Sequence, residues 1–173
     1  MFIKILASLT WLLLFAGAIS AQDNSATATQ SYNSLSEIAG KRNALLLIKK
    51  ASILEASGGS SSMIEEVLKY DPRQSRRYRS AYNVIAGKLN KFMRKHKGMS
   101  AVGSIGEADY IIFFNLLEYR RPLGIPHPYG ELFIIMLTSQ TKARIVWKSK
   151  KVQWAGDAAD DLINDLREIQ RRK

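Results

Sequence analysis

The chain has 173 residues and not one of them is cysteine. Disulfides, thiolate nucleophiles and Cys-ligated metal centres are therefore excluded. So is a lipoprotein anchor, which needs a cysteine at the cleavage point. Histidine is nearly as scarce, and His96 and His127 do not have the His-x-x-x-His spacing that puts two imidazoles on one helix face. There is no Gly-x-Ser-x-Gly elbow. Gly103-Ser104-Ile105-Gly106 lacks the lysine and the following helix that a phosphate loop requires. Proline occurs only 4 times, and three of these, Pro122, Pro126 and Pro128, fall in one short segment. Acidic side chains are outnumbered, 15 against 26 basic ones. No cofactor or metal is expected. Nothing marks an enzyme, although a hydrolase site assembled from distant residues stays open.

Long apolar runs are also few, and the longest is terminal. Lys4 precedes an apolar run over Ile5–Ile19, followed by small residues and the polar stretch Gln22-Asp23-Asn24-Ser25. This is the three-part layout of a secretory signal peptide. At roughly 15 residues the run falls short of the ~20 that span a bilayer. Residues 1–21 read as a signal peptide cut near Ala21, with Ser20 as the alternative site. An uncleaved anchor or a buried core helix would be the other readings. The expected location is periplasmic or secreted.

Removing residues 1–21 takes away Lys4 alone, leaving 25 basic and 15 acidic side chains, a charge of +10. Such a charge attracts anionic polymers and surfaces without choosing among them. About 150 residues remain, enough for one domain with its own core.

Residues 22–40, rich in Ser, Thr, Ala and Asn, read as a flexible linker, and residues 41–173 as a single α/β domain. Asn43–Lys50 carries the run Ala44-Leu45-Leu46-Leu47-Ile48, which suits a buried strand or a helix. Ser57–Ser62 reads as a loop. Ser62 and Glu65 have capping-box spacing ahead of Met63, Ile64, Val67 and Leu68, a short helix. From Asp71-Pro72 to about Lys97, Tyr78, Ala81, Tyr82, Ile85, Leu89, Phe92 and Met93 recur at three- and four-residue spacing, a long amphipathic helix with Gly98 placed to end it. A short strand is expected near Ser100–Gly103.

Tyr110–Glu118 and Glu131–Thr138 are apolar at successive positions, as strands covered on both faces would be. Arg144–Trp154 reads as a third strand with Ile145 and Trp147 on one face. Asp157 then opens a final helix with Ala158, Leu162, Ile163, Leu166 and Ile169 on its inner side. The expected fold is α/β (α+β): a single mixed sheet of about four to five strands against a long amphipathic helix and a C-terminal helix.

Three patterns carry a resemblance: Glu107-Ala108-Asp109-Tyr110-Ile111-Ile112 opening a strand, Ala143-Arg144-Ile145-Val146-Trp147-Lys148 within one, and Ala158-Ala159-Asp160-Asp161-Leu162-Ile163-Asn164-Asp165-Leu166 in the closing helix. Together they resemble small bacterial envelope domains, the TolB amino-terminal domain and CsgG-like domains with their exported relatives, over roughly Lys41–Arg171. The resemblance implies an envelope module that acts by contacting other proteins. It offers no catalytic residues. A lipid anchor of the CsgG type would need a cysteine, and a TolB-type propeller would need a further domain of chain.

Three groups of residues are candidate sites. The segment Tyr119–Gly130 joins two apolar strands and is stiffened by its prolines; Tyr119, Arg120, Arg121, His127 and Tyr129 are side chains suited to contacts. A plain connector, or a flap over the sheet edge, is the competing reading. The basic stretch Arg73, Arg76, Arg77, Lys88, Lys91, Arg94 and Lys95 is either a solvated helix face or a contact for anionic polymers or lipid headgroups. Nucleic acid is disfavoured by the export signal, and the nearby tyrosines lie on the core stripe. Asp157, Asp160, Asp161 and Asp165 lack a calcium-binding loop, and the helix dipole accounts for them. The expected function is an exported, non-catalytic protein-interaction module of the bacterial envelope, with a basic binder of anionic polymers or membranes as the alternative and an unrecognised hydrolase third.

Overall fold

A computed structural model describes residues 35–50, 60–95, 99–139 and 142–171. The expected signal peptide, most of the linker, the loop at 57–59 and the helix stop at Gly98 lie outside the described residues. Among the described residues six strands form one mixed sheet: β1 (Asn43–Lys50), β2 (Ser100–Ala101), β3 (Tyr110–Arg120), β4 (His127–Leu137), β5 (Ala143–Lys148) and β6 (Gln153–Trp154). Their order is β2-β1-β3-β4-β5, with β6 also paired to β4. The β2–β1 and β1–β3 pairs are parallel; the remaining pairs are antiparallel. The helices are α1 (Ser60–Lys69), α2 (Arg79–Lys95) and α3 (Ala155–Arg171). Among the described residues no helix is long and apolar enough to cross a membrane.

The unbroken apolar runs of the strands follow from burial on both faces. Ala44, Ile48, Tyr110, Ile112, Phe114, Leu132 and Ile134 join the cluster under α2 and α3. The alternate residues Leu45, Leu47, Ile111, Phe113, Phe133 and Ile135 meet Val67, Met63 and Leu68 of α1. α1 is thus the cover for the second face, beyond the two helices expected from sequence.

α2 buries Ala81, Ile85, Leu89 and Phe92, a stripe at helical spacing. α3 buries Ala158, Ala159, Leu162, Ile163 and Leu166. Lys88 pairs with Asp160 near the middle of α2 and the start of α3. Further along both helices, the Arg167 guanidinium lies over the Phe92 ring. The two helices therefore run parallel, and their carboxyl ends lie together.

Several expected boundaries shift. Leu35–Ile38 forms a 3-10 turn whose Leu35 and Ile38 are buried, so part of the expected linker packs into the core. α1 begins at Ser60, which puts Ser62 inside the first turn and not at the cap. The long helix is divided: Pro72–Tyr78 is a 3-10 segment, capped by Asp71 accepting from the Arg73 N–H. The tighter winding brings the buried Ser75 Oγ to the Ile48 N–H at 3.0 Å, while the Tyr70 hydroxyl donates to the Ile48 carbonyl. Side chains thus satisfy β1 where β2, paired only at Asn43 and Ala44, has ended.

The expected third strand is two strands. Trp147 pairs with Ile134 and Ile145 with Ile135, so Val146 is an extra residue. This bulge reverses the alternation: Ile145 faces α1, whereas Val146 and Trp147 face α2 and α3. Sequence alone puts Ile145 and Trp147 on one face. α3 begins at Ala155, with Asp157 in its first turn and not at the cap.

The Asp109 carboxylate accepts from the Arg42 and Asn43 N–H groups, both at 2.9 Å, while the Asp109 N–H donates to the Asn43 carbonyl. This clasp sets the register of β1 on β3. The Asn43 N–H, then the Arg42 N–H, hold the Asp109 carboxyl below the usual carboxylate range. Because the folded pKa is depressed, its stabilisation is present above the unfolded pKa and is lost as pH falls through the folded value. Asp109→Ala is expected to cost about 1–2 kcal/mol at pH 7 in urea unfolding, and Asp109→Asn less. The gap between the wild type and the Asn variant should close below about pH 4. A gap that stays constant down to pH 2 would refute the clasp.

Candidate functional site

The expected loop over Tyr119–Gly130 is mostly strand. β3 and β4 remain paired out to Tyr119–Pro128 and Arg120–His127, leaving Arg121–Pro126 as the turn. β1 accompanies β3 only to Leu116, and the β5 pairing begins at Phe133. The outer part of the hairpin thus extends beyond the β1 and β5 pairings; among the described strands β6 accompanies it, pairing with Tyr129 and Gly130. A bulge lies between Leu116 and Glu118. Opposite it sits Gly130, where an added Cβ would come within 2.9 Å of the Phe114 ring and closer still to the Asn115 carbonyl oxygen. Glycine is required there because β3 crosses too near for any side chain.

The five contact candidates divide into framework and surface. The His127 ring packs edge-on against Trp154, with centroids 5.5 Å apart. The Arg120 guanidinium lies 4.3 Å over the Tyr129 ring and pairs with Glu118 at 2.6 Å. Tyr119 is partly exposed; burial, then neighbouring Tyr78, push its phenol pKa up. The contacts of His127, Arg120 and Tyr129 stiffen the arm. Arg121 is exposed, and among the described residues no carboxylate pairs with it.

The outermost surface belongs to two residues not singled out from sequence. Leu123 is 99% exposed and Ile125 62% exposed. Leu123 also holds φ 54° and ψ 29°, the left-handed region, and Gly124 follows with φ 81°. A leucine in that conformation costs on the order of 1 kcal/mol and here gains no burial in return. The dense prolines and glycines were the sequence signal for a special turn; which side chain it would display was not in the pattern.

The basic stretch does not form one face. Arg73, Arg76 and Arg77 are exposed on the 3-10 segment. Arg94 lines a shallow depression with Asn90, Met93, Met99 and Ala101 beside β2. Lys88, Lys91 and Lys95 line a separate cleft between α2 and α3 with Phe92, Asp160, Ile163 and Arg167. Arg167, which is not among the basic candidates read from sequence, is brought in by the parallel packing of the helices. Lys88 Nζ also lies 5.9 Å from the Trp154 ring centroid, so one indole meets both His127 at the outer end of the paired strands and a lysine of the cleft.

Three of the four candidate aspartates of α3 have side-chain partners. Asp165 accepts from the Trp147 indole N–H at 2.7 Å, and Asp161 accepts from Gln153 Nε2 at 2.7 Å. Asp160 pairs with Lys88. Among the described residues no group of three or more His, Asp or Glu side chains could hold a metal. Comparison of the chain with protein-family models, with curated proteins and with solved structures finds no match.

The left-handed backbone at Leu123 gives a direct test of strain at the tip. Leu123→Asn, a residue that tolerates this region, should leave stability unchanged or raise it by up to about 1 kcal/mol. Leu123→Val, β-branched, should lower it by a similar amount. Equal melting midpoints for the two variants would show that the tip carries no such strain.

Proposed function

We propose that this chain is an exported, non-catalytic protein-interaction module of the bacterial cell envelope, and that it engages its partner with the tip of the β3–β4 hairpin. One observation carries the reading: Leu123 is held almost fully exposed, in a conformation unfavourable for leucine, at the end of a braced arm. Backbone strain retained on a rigid support without any gain in packing is characteristic of a contact element. Ile125 and Arg121 extend the same surface with residue types that anchor interfaces. The signal-peptide layout of residues 1–21 supports export, and the resemblance to envelope domains supports a role through contact.

A second reading, binding to anionic polymers or membranes, is favoured by the charge of the chain and by the lysines of the α2–α3 cleft. Salt separates the two. An interface anchored by Leu123 and Ile125 should lose less than about threefold in affinity between roughly 50 and 200 mM salt, whereas binding through many phosphate contacts falls by orders of magnitude. The experiment is photocrosslinking in the native host from a probe placed at position 125. A discrete partner should be captured, and Leu123→Ser should abolish the capture. Unchanged capture by that variant, or binding that collapses with salt, would sink the hairpin reading. Amino-terminal sequencing of the mature protein should start near Gln22; recovery of Met1 would sink export.

A further inference from the structure

The cleft between α2 and α3 has features that neither the fold nor the hairpin uses. Lys88, Lys91 and Lys95 follow one another at three- and four-residue spacing and so share a face of α2. Arg167 reaches the same cleft from α3, and the floor is apolar, made by Phe92 and Ile163. Lys88 is engaged at one end by Asp160, the only carboxylate among the described residues that line the cleft. Among the described residues, Lys91, Lys95 and Arg167 have no carboxylate partner.

Arg167 is also oriented in advance. Its Nη1 donates to Asn164 Oδ1 at 3.1 Å, and its guanidinium sits 6.0 Å from the Phe92 ring centroid. A guanidinium fixed in this way loses little freedom when it binds an oxyanion. The apolar floor keeps water from one side of the site and strengthens the attraction. Three separate cationic donors suit an anion with several acceptor oxygens better than they suit a carboxylate, whose two oxygens one arginine can satisfy. The cleft volume of 320 Å³ leaves room for more than a bare phosphate.

We infer that this cleft binds the phosphate group of a small phosphate ester, held by Lys91, Lys95 and Arg167 over the Phe92–Ile163 floor. The inference does not depend on the hairpin contact. The phosphate could come from a soluble ester or from a lipid headgroup, and the test has an arm for each.

The isotope-labelled full chain is titrated with glycerol 3-phosphate and followed by backbone amide shifts. In parallel, it is sedimented with phosphatidylglycerol vesicles and with phosphatidylcholine vesicles. Saturable shifts confined to residues 88–95 and 163–167 are expected. Affinity should fall at least tenfold in Lys91→Glu/Lys95→Glu and in Arg167→Gln, with melting temperatures near wild type. Leu123→Ser should bind as the wild type does, so failure of the hairpin reading and failure of this one are separable. Saturation by glycerol 3-phosphate alone assigns a soluble ester. Added retention on phosphatidylglycerol vesicles, lost in the cleft variants, assigns a headgroup. Shifts spread over the whole basic surface without saturation, or binding that survives the cleft variants, would overturn the site.

Discussion

Everything in this fold depends on β3 being covered on both faces. Its run Tyr110–Phe114 is buried at every position, so the strand cannot lie at a solvated surface. One face calls for α2 and α3, and the other for α1. β1 and β4 flank it and complete its backbone pairing. The Asp109 clasp fixes where β1 starts on it. The rest of the strand then extends past the end of β1, and the hairpin arm is the result. An arm of this kind can present a tip while taking its rigidity from the core.

Trp154 is where the core, the arm and the helix pair meet. It closes β6, packs beneath the start of α3 and meets both His127 and Lys88. Gly156 is part of the same arrangement, since an added Cβ there would come within 2.7 Å of the indole. The indole can approach the first turn of α3 only because that position has no side chain. Two surface features far apart in sequence, the hairpin and the α2–α3 cleft, therefore share one fixed aromatic ring.

The parts of the fold legible in the sequence are those where burial is periodic. The strands at Tyr110 and Glu131 follow from unbroken apolar runs, and the stripe of α2 and the inner side of α3 from helical spacing, because packing against two layers or one imposes these patterns. The run at Asn43 suits strand and helix alike, and only its pairing with β3 decides for strand. What the sequence hid depends on single residues and long-range partners. The bulge at Val146 inverts Ile145 and Trp147 without leaving a mark in composition. The 3-10 segment at Pro72 has nearly the same apolar spacing as a helix, and its buried Ser75 makes sense only once Ile48 is beside it. At the candidate site, the prolines and arginines of the hairpin were visible, but strand pairing places His127 and Tyr129 in the framework. Arg167 could not be assigned to the cleft without knowing that α2 and α3 run parallel.

Charge and tip do different physical work. A charge of +11 acts over about a Debye length and attracts anionic surfaces with little discrimination. Discrimination needs contacts that exist only when shapes match. Leu123 and Ile125 can supply them because their support is already ordered: the cross-strand pairs, the Arg120–Tyr129 stack and the His127–Trp154 contact fix the arm before any encounter. Much of the entropy that a flexible loop would lose on binding has then been lost in folding. The left-handed Leu123 fits this division, because its conformational cost is met when the chain folds and would not be met again in a contact made by the tip.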